Sequence, residues 1–187
     1  SPLQSVDAET VADLGLVDIQ DVLQNTTVVQ GVQLDQQFNA NFVSNAGPGG
    51  SAVSLRGLGA DRTLLLINGR RVAPAGIEGA PSFPDTSILP SSMLQRIDIL
   101  LDGASSVYGS DAVAGVVNVI LRDEFEGVQL DAFRTVPFEN AAGTEQRYSI
   151  MIGDTGERGS FIVSAEYVHF EEMRGNDRDW MFATDFG

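Results

Sequence analysis

The chain has 187 residues, 43% of them hydrophobic and 20% charged, a globular balance with enough apolar material for a core and for one or two domains. Its 26 acids against 11 bases leave a net charge of -15, which excludes the clustered cations that a nucleic-acid partner requires. Cysteine is absent and His169 is the one histidine, so disulfides, thiolate metal sites, cysteine nucleophiles and multi-histidine metal centres are excluded as well.

No apolar run approaches the roughly 20 residues of a transmembrane helix. The start, Ser1-Pro2-Leu3-Gln4, lacks the basic and apolar regions of a signal peptide. Any membrane contact is therefore expected from strands. Ala8 to Asn25 reads as helix, with Val11, Leu14, Leu16, Ile19, Val22 and Leu23 at helical spacing, Gly15 dividing it into two pieces and Asp18 capping the second. Thr27 to Val32 is a β-branched run, and Asn39 to Gly50 is a polar loop ending Asn45-Ala46-Gly47-Pro48-Gly49-Gly50. Ala52 to Leu58 alternates like a strand, and Arg62 to Ile67 is continuously apolar after its first residues. Asn68-Gly69 is a hairpin turn into Arg70-Arg71-Val72. Ala73 to Pro90 carries Pro74, Pro81, Pro84 and Pro90 together with Gly76 and Gly79, and reads as a loop without regular structure.

Ser91 to Gln95 predicts a helical turn. Leu94 to Leu121 then compresses two apolar strands, Ile97 to Leu101 and Val116 to Leu121, around a small-residue turn whose Gly103, Gly109 and Gly115 permit special backbone conformations. After Asp123-Glu124-Phe125-Glu126 the pattern changes to long period-two alternation, which places a domain boundary there. Val128, Leu130 and Ala132 oppose Gln129 and Asp131, with Phe133 on the polar side. Tyr148, Ile150 and Ile152 oppose Arg147, Ser149 and Met151; Phe161, Val163, Ala165 and Tyr167 oppose Ser160, Ser164 and Glu166. Pro137 to Glu145 is a long polar connection, Gly153 to Gly159 a compact turn, and Glu171 to Gly187 long and polar again. Strands of this kind belong either to a transmembrane β-barrel, where short turns and long loops alternate, or to a half-buried soluble sheet.

Four motifs in succession carry a resemblance: Val53-Ser54-Leu55-Arg56-Gly57; Leu65-Leu66-Ile67-Asn68-Gly69-Arg70-Arg71; Gln95-Arg96-Ile97-Asp98-Ile99-Leu100; and Tyr108-Gly109-Ser110-Asp111-Ala112-Val113-Ala114-Gly115-Val116-Val117-Asn118-Val119-Ile120. In order and separation they resemble the plug domain of TonB-dependent outer-membrane receptors. The family's usual Gly-Pro is replaced by Asp102-Gly103-Ala104, and nothing before Val6 resembles its TonB box.

The resemblance implies an α+β plug domain over residues 1–125, a small mixed sheet with short helices. Residues 126–187 then supply the first three antiparallel strands of an incomplete transmembrane β-barrel. Three strands of about ten residues do not close a barrel, which needs at least eight, so the chain is expected to be completed by the rest of the same protein or by another chain. The family's barrel has about 22 strands, too wide for its own side chains to fill, and the plug occupies it.

The implied function is binding of an extracellular nutrient, a small molecule or an oligosaccharide, and energy-coupled gating of its uptake from the bacterial outer membrane. The implied partners are TonB on the periplasmic side and outer-membrane lipid. By position, Asn45, Gly47, Pro48, Gly49 and Gly50 and then Pro74, Ile77, Pro81 and Phe83 would lie in outward plug loops that touch the nutrient. Arg56 and Arg96 match the family's plug arginines that pair with barrel glutamates. No catalytic residue, cofactor or metal ligand is implied. The alternative is a soluble plug-like binding module in which the three strands pack against the plug; a soluble hydrolase ranks last for want of a nucleophile with a base.

Other motifs yield to plainer readings. Asp154-Thr155-Gly156 copies the aspartic-protease tripeptide without the second copy that a shared-proton carboxylate pair needs, and is expected at a hairpin turn. Gly57-Leu58-Gly59-Ala60-Asp61-Arg62 has Arg where a dinucleotide fingerprint needs its third glycine. His169, beside Tyr167 and Phe170, is expected at an interface or facing a lumen, and the sequon Asn25-Thr26-Thr27 has no meaning in a bacterial outer-membrane protein.

Overall fold

The computed structural model describes residues 3–13, 19–24, 52–77, 80–101, 104–136, 144–156 and 158–171. In chain order these form β1 (Leu3–Asp7), α1 (Ala8–Asp13), α2 (Ile19–Gln24), β2 (Thr63–Ile67), β3 (Arg70–Arg71), β4 (Ala75–Ile77), β5 (Ala80–Phe83), β6 (Leu94–Leu100), α3 (Ala104–Tyr108), β7 (Gly115–Leu121), β8 (Gly127–Thr135), β9 (Glu145–Gly156) and β10 (Gly159–Phe170). The chain divides into two compact units, Ser1–Asp123 and Glu124–Gly187.

The first unit is built on a five-stranded mixed sheet in the order β1-β6-β7-β2-β3, in which β2 and β7 run parallel and the other pairs antiparallel. The continuous Leu64-Leu65-Leu66 run follows from that position, because a central parallel strand is covered on both faces. Leu65 joins Ile97, Ile99, Val117 and Val119 in the larger core on one face, and Leu64 and Leu66 pack with Ala112 and Val116 on the other. From α2, Ile19, Val22 and Leu23 enter the larger core at i, i+3 and i+4. The helical reading of residues 8–25 thus resolves into two short helices, while the runs at 27–32 and 39–50 lie outside the described residues.

Two sequence expectations are corrected in this unit. Ala52 to Leu58 is not a strand. The chain turns at Arg56 and Gly57, whose φ angles are 56° and 68°, and Gly59 follows at 105°. Side-chain hydrogen bonds fix that turn: Ser54 Oγ accepts from Gly59 N (3.0 Å), and Thr63 Oγ1 accepts from Leu55 N (3.1 Å) while donating to Gly59 O (3.2 Å). Period-two alternation cannot reveal such a turn, because it reports facing and not φ. The second correction is at residues 73–90, where β4 and β5 pair as a two-stranded antiparallel hairpin. Among the described residues β4 and β5 pair only with each other, so the missing N–H of Pro81 interrupts no interior ladder there. The expected turn at 91–95 is a single 3-10 turn, Ser91–Met93, with β6 starting at Leu94.

Asn68-Gly69 does form the expected turn, with both residues at positive φ, 48° and 75°. It is locked onto β7: Asn68 N donates to Val119 O (2.9 Å), Asn68 Oδ1 accepts from Leu121 N (2.9 Å) and Asn118 Oδ1 accepts from Gly69 N (2.9 Å). That explains a polar Asn118 inside an apolar strand. At the other end of β7, Gly115 sits at φ 139°, where an added Cβ would stand 2.7 Å from Leu100 O and 2.8 Å from Leu55 Cδ1. Only glycine lets β7 pass that close to β6 and to the core leucine of the turn.

The second unit is a three-stranded antiparallel sheet in the order β10-β9-β8, joined between β9 and β10 by the two residues between Gly156 and Gly159. Asp154-Thr155-Gly156 accordingly ends β9 at a hairpin. The register aligns side chains in rungs: Val128, Ile152 and Val163; then Leu130, Ile150 and Ala165; then Ala132, Tyr148 and Tyr167; then Arg134, Gln146 and His169. No helix among the described residues is long and apolar enough to cross a membrane.

Candidate functional site

The two faces of β8 to β10 are inverted relative to an ordinary soluble sheet. Leu130 is 72% exposed, and Val128, Tyr148, Ile150, Ile152, Phe161, Val163 and Tyr167 are exposed with it. On the opposite face Arg147 is 6% exposed, flanked by the buried Glu145 and Met151. Arg147 donates through Nη2 to Glu145 Oε1 (2.9 Å) and through Nη1 to Glu166 Oε1 (3.0 Å). Asp131 accepts from Ser149 Oγ (3.1 Å) and Gln129 Nε2 (3.0 Å) on the same face. Charge turned inward and hydrocarbon turned outward is stable only where the outside is apolar.

The exposed apolar band also has the dimensions of a bilayer. It is bounded by the rung of Arg134, Gln146 and His169 at one end and by Asp154, opposite Phe161, at the other. From Gln146 to Asp154 the strand advances about 27 Å. A tilt of about 40° reduces this to about 21 Å along the normal, near the height of the apolar belt in transmembrane barrels. Tyr148 and Tyr167 face each other near one edge and Phe161 stands at the other, which is where interfacial aromatics belong. Phe133 lies on the polar face, half-buried opposite Arg147, as its place in the alternation predicts. His169 lies on the exposed face, one rung beyond Tyr167.

The residues expected in the plug site fall as follows. Pro74 is exposed just before β4; Ile77 lies on β4, and Pro81 and Phe83 on β5. Asn45, Gly47, Pro48, Gly49 and Gly50 lie outside the described residues. β4 and β5 thus hold three of the nine residues expected at the site, with Pro74 immediately before them. Arg56 is exposed on the Ser54–Gly59 turn, anchored by the fully buried Leu55, while Leu58 on its other side is exposed. Arg96 is half-buried on β6. Its Nε lies 3.2 Å from Asp98 Oδ2, and Asp98 also accepts from Ser5 Oγ of β1 (2.9 Å), so one carboxylate links the arginine to the edge strand. The two arginines stand on separate elements.

Sequence reasoning did not find two arginine clusters. One is Arg147 with Glu145 and Glu166. Its signal was present, since Glu145 and Arg147 share a face at i, i+2 and Glu166 lies on the neighbouring strand. The other is Arg71 on β3, whose Nη1 lies 2.8 Å from Asp111 Oδ2 and whose Nη2 donates to the Tyr108 carbonyl. It clamps the short edge strand to the turn between α3 and β7. No local pattern announces a contact between residues so far apart in sequence.

Comparison with known proteins agrees with this geometry. Residues 1–116 match the model of the TonB-dependent receptor plug domain. The siderophore receptor PirA from Pseudomonas aeruginosa superimposes with a TM-score of 0.66 at 19% identity, covering 92% of this chain and 29% of that one. The ferric enterobactin receptor PfeA from the same organism, as an enterobactin-bound mutant, gives 0.66 at 22% identity, covering 90% and 25%. The unliganded ferric citrate transporter FecA gives 0.64 at 20% identity, covering 90% and 25%. The chain therefore spans between a quarter and a third of the length of these receptors. With its plug motifs on the five-stranded sheet and its three inverted strands following, the chain belongs to the TonB-dependent receptor plug-domain family.

Proposed function

We propose that the chain is the N-terminal part of a TonB-dependent receptor of the bacterial outer membrane, with residues 1–125 as the plug and 126–187 as the first three barrel strands. The receptor binds an extracellular nutrient and gates its energy-coupled passage into the periplasm. The observation that carries this reading is the inverted sheet, whose exposed face is a hydrocarbon band and whose buried face is charged. The soluble-module alternative required burial of that same face, and its exposure weighs against it.

Within this reading the hairpin carrying Pro74, Ile77, Pro81 and Phe83 and the loop carrying Asn45, Gly47, Pro48, Gly49 and Gly50 meet the nutrient at the outer surface. Arg56 and Arg96 meet carboxylates of the barrel wall, each guanidinium matching a carboxylate in bidentate fashion. TonB adds a strand from the periplasmic side and pulls. Gating needs contacts that hold and release, so no bond in the nutrient is made or broken.

The test uses the full receptor in its native host. The receptor is expected to fractionate with the outer membrane and to support uptake of its nutrient only when TonB is present and energised. A receptor that stays in solution without detergent, or uptake indifferent to TonB, would overturn the proposal.

A further inference from the structure

The apolar face of β8 to β10 is grooved. Where Ala132 and Ala165 replace bulkier side chains, a depression of about 460 Å3 opens between Leu130, Ile150, Tyr148 and Tyr167. It lies beside the rung of Arg134, Gln146 and His169, where Arg134 and His169 are both exposed. On this face of the three strands Arg134 is the charged side chain at one end and Asp154 the charged side chain at the other. Among the described residues, Glu171, exposed past the end of β10, is the acid on this face on the arginine side. Strand spacing puts it about 12 Å from Arg134, two strands and one rung away.

The connections orient this asymmetry. In transmembrane barrels the short turns lie in the periplasm and the long loops outside. The two residues between β9 and β10 adjoin the Asp154 end, and the connection of residues 136–144 adjoins the Arg134 end. Arg134 therefore stands at the level of the outer-leaflet headgroups, with Tyr148 and Tyr167 one rung below. An apolar furrow with an arginine one rung beyond it matches an acyl chain followed by a phosphate, since the guanidinium fork fits phosphate oxygens and tyrosine suits a surface with one apolar and one wet end.

We infer that this groove is a lipid site: it seats one acyl chain of an outer-leaflet lipid whose phosphorylated headgroup is held by Arg134. The inference rests on the membrane reading above. It is tested with the full receptor in nanodiscs containing equal amounts of phosphatidylglycerol and phosphatidylcholine with identical acyl chains, with retained lipid identified by native mass spectrometry. The wild type is expected to retain the anionic lipid with about a fivefold preference. Arg134→Gln is expected to erase the preference while keeping the lipid, and Ala165→Phe, an apolar change that fills the groove, to lose the lipid. Equal retention of the two lipids by the wild type, a preference surviving both substitutions, or a second protein copy on this face in place of lipid would overturn the inference. In each of those outcomes the receptor is still embedded in the disc; a receptor that needs no bilayer would instead overturn the membrane reading.

Discussion

Ile97 and Ile150 are the same side chain on antiparallel strands, yet Ile97 is fully buried in the plug core and Ile150 is 37% exposed on the three-stranded sheet. The neighbours invert too. Around Ile97 the charged groups Arg96 and Asp98 are only partly buried, whereas near Ile150 the arginine of the same strand, Arg147, is among the most buried polar residues. The first unit obeys the rule for water, apolar inside and polar outside. The second inverts it, the pattern that the proposed reading assigns to a bilayer around a polar lumen. Both are made from the same few residue types, so the surroundings each unit is built for must be read from the sign of burial and not from composition.

Breaking the buried charge cluster should have the largest effect. Arg147→Ala strands Glu145 and Glu166 on the buried face and is expected to cost about 3–5 kcal/mol, read as a lowered midpoint for urea unfolding of the full receptor in detergent. Next comes the mirror-image insult. Ile150→Arg places a charge at the middle rung of the apolar band and should cost about 2–4 kcal/mol in a bilayer, measured by folding into phosphatidylcholine vesicles. If the sheet faced water, the same change would be nearly silent.

In the plug, Gly115→Ala forces a Cβ against Leu100 O and Leu55 at φ 139° and is expected to cost about 1–3 kcal/mol, seen as a lower unfolding midpoint of the plug. The smallest effect belongs to Arg71→Ala. Its ion pair with Asp111 is about half exposed on both sides, so less than about 1 kcal/mol is expected, checked by the same unfolding measurement.

The comparison was legible in the sequence to unequal degrees. The period-two alternation from Val128 to Tyr167 showed which residues share a face, but not which face is exposed, because a barrel and a half-buried soluble sheet alternate alike. The Leu64-Leu65-Leu66 run likewise marked a doubly covered strand. What alternation could not show was the turn at Arg56 and Gly57, because positive φ and side-chain hydrogen bonds to Ser54 and Thr63 leave no mark on hydropathy. Proline content misdirected the reading of β4 and β5, since a proline in strands that, among the described residues, pair only with each other interrupts no interior ladder. Arg71 with Asp111 was beyond reach because that pair depends on register between distant segments, whereas Arg147 with Glu145 and Glu166 had its signal in the shared face of one hairpin and was passed over.

The inverted sheet is tested most directly by cysteine substitution, because residues 1–187 contain no cysteine and any elsewhere in the receptor can first be replaced by serine. Single cysteines at Arg147, Tyr148, Ser149, Ile150, Met151 and Ile152 in the full receptor would be probed in isolated outer membranes with a thiol reagent confined to the lipid phase. The account predicts labelling at Tyr148, Ile150 and Ile152 and protection at Arg147, Ser149 and Met151. Uniform labelling, or labelling of the opposite three, would contradict it.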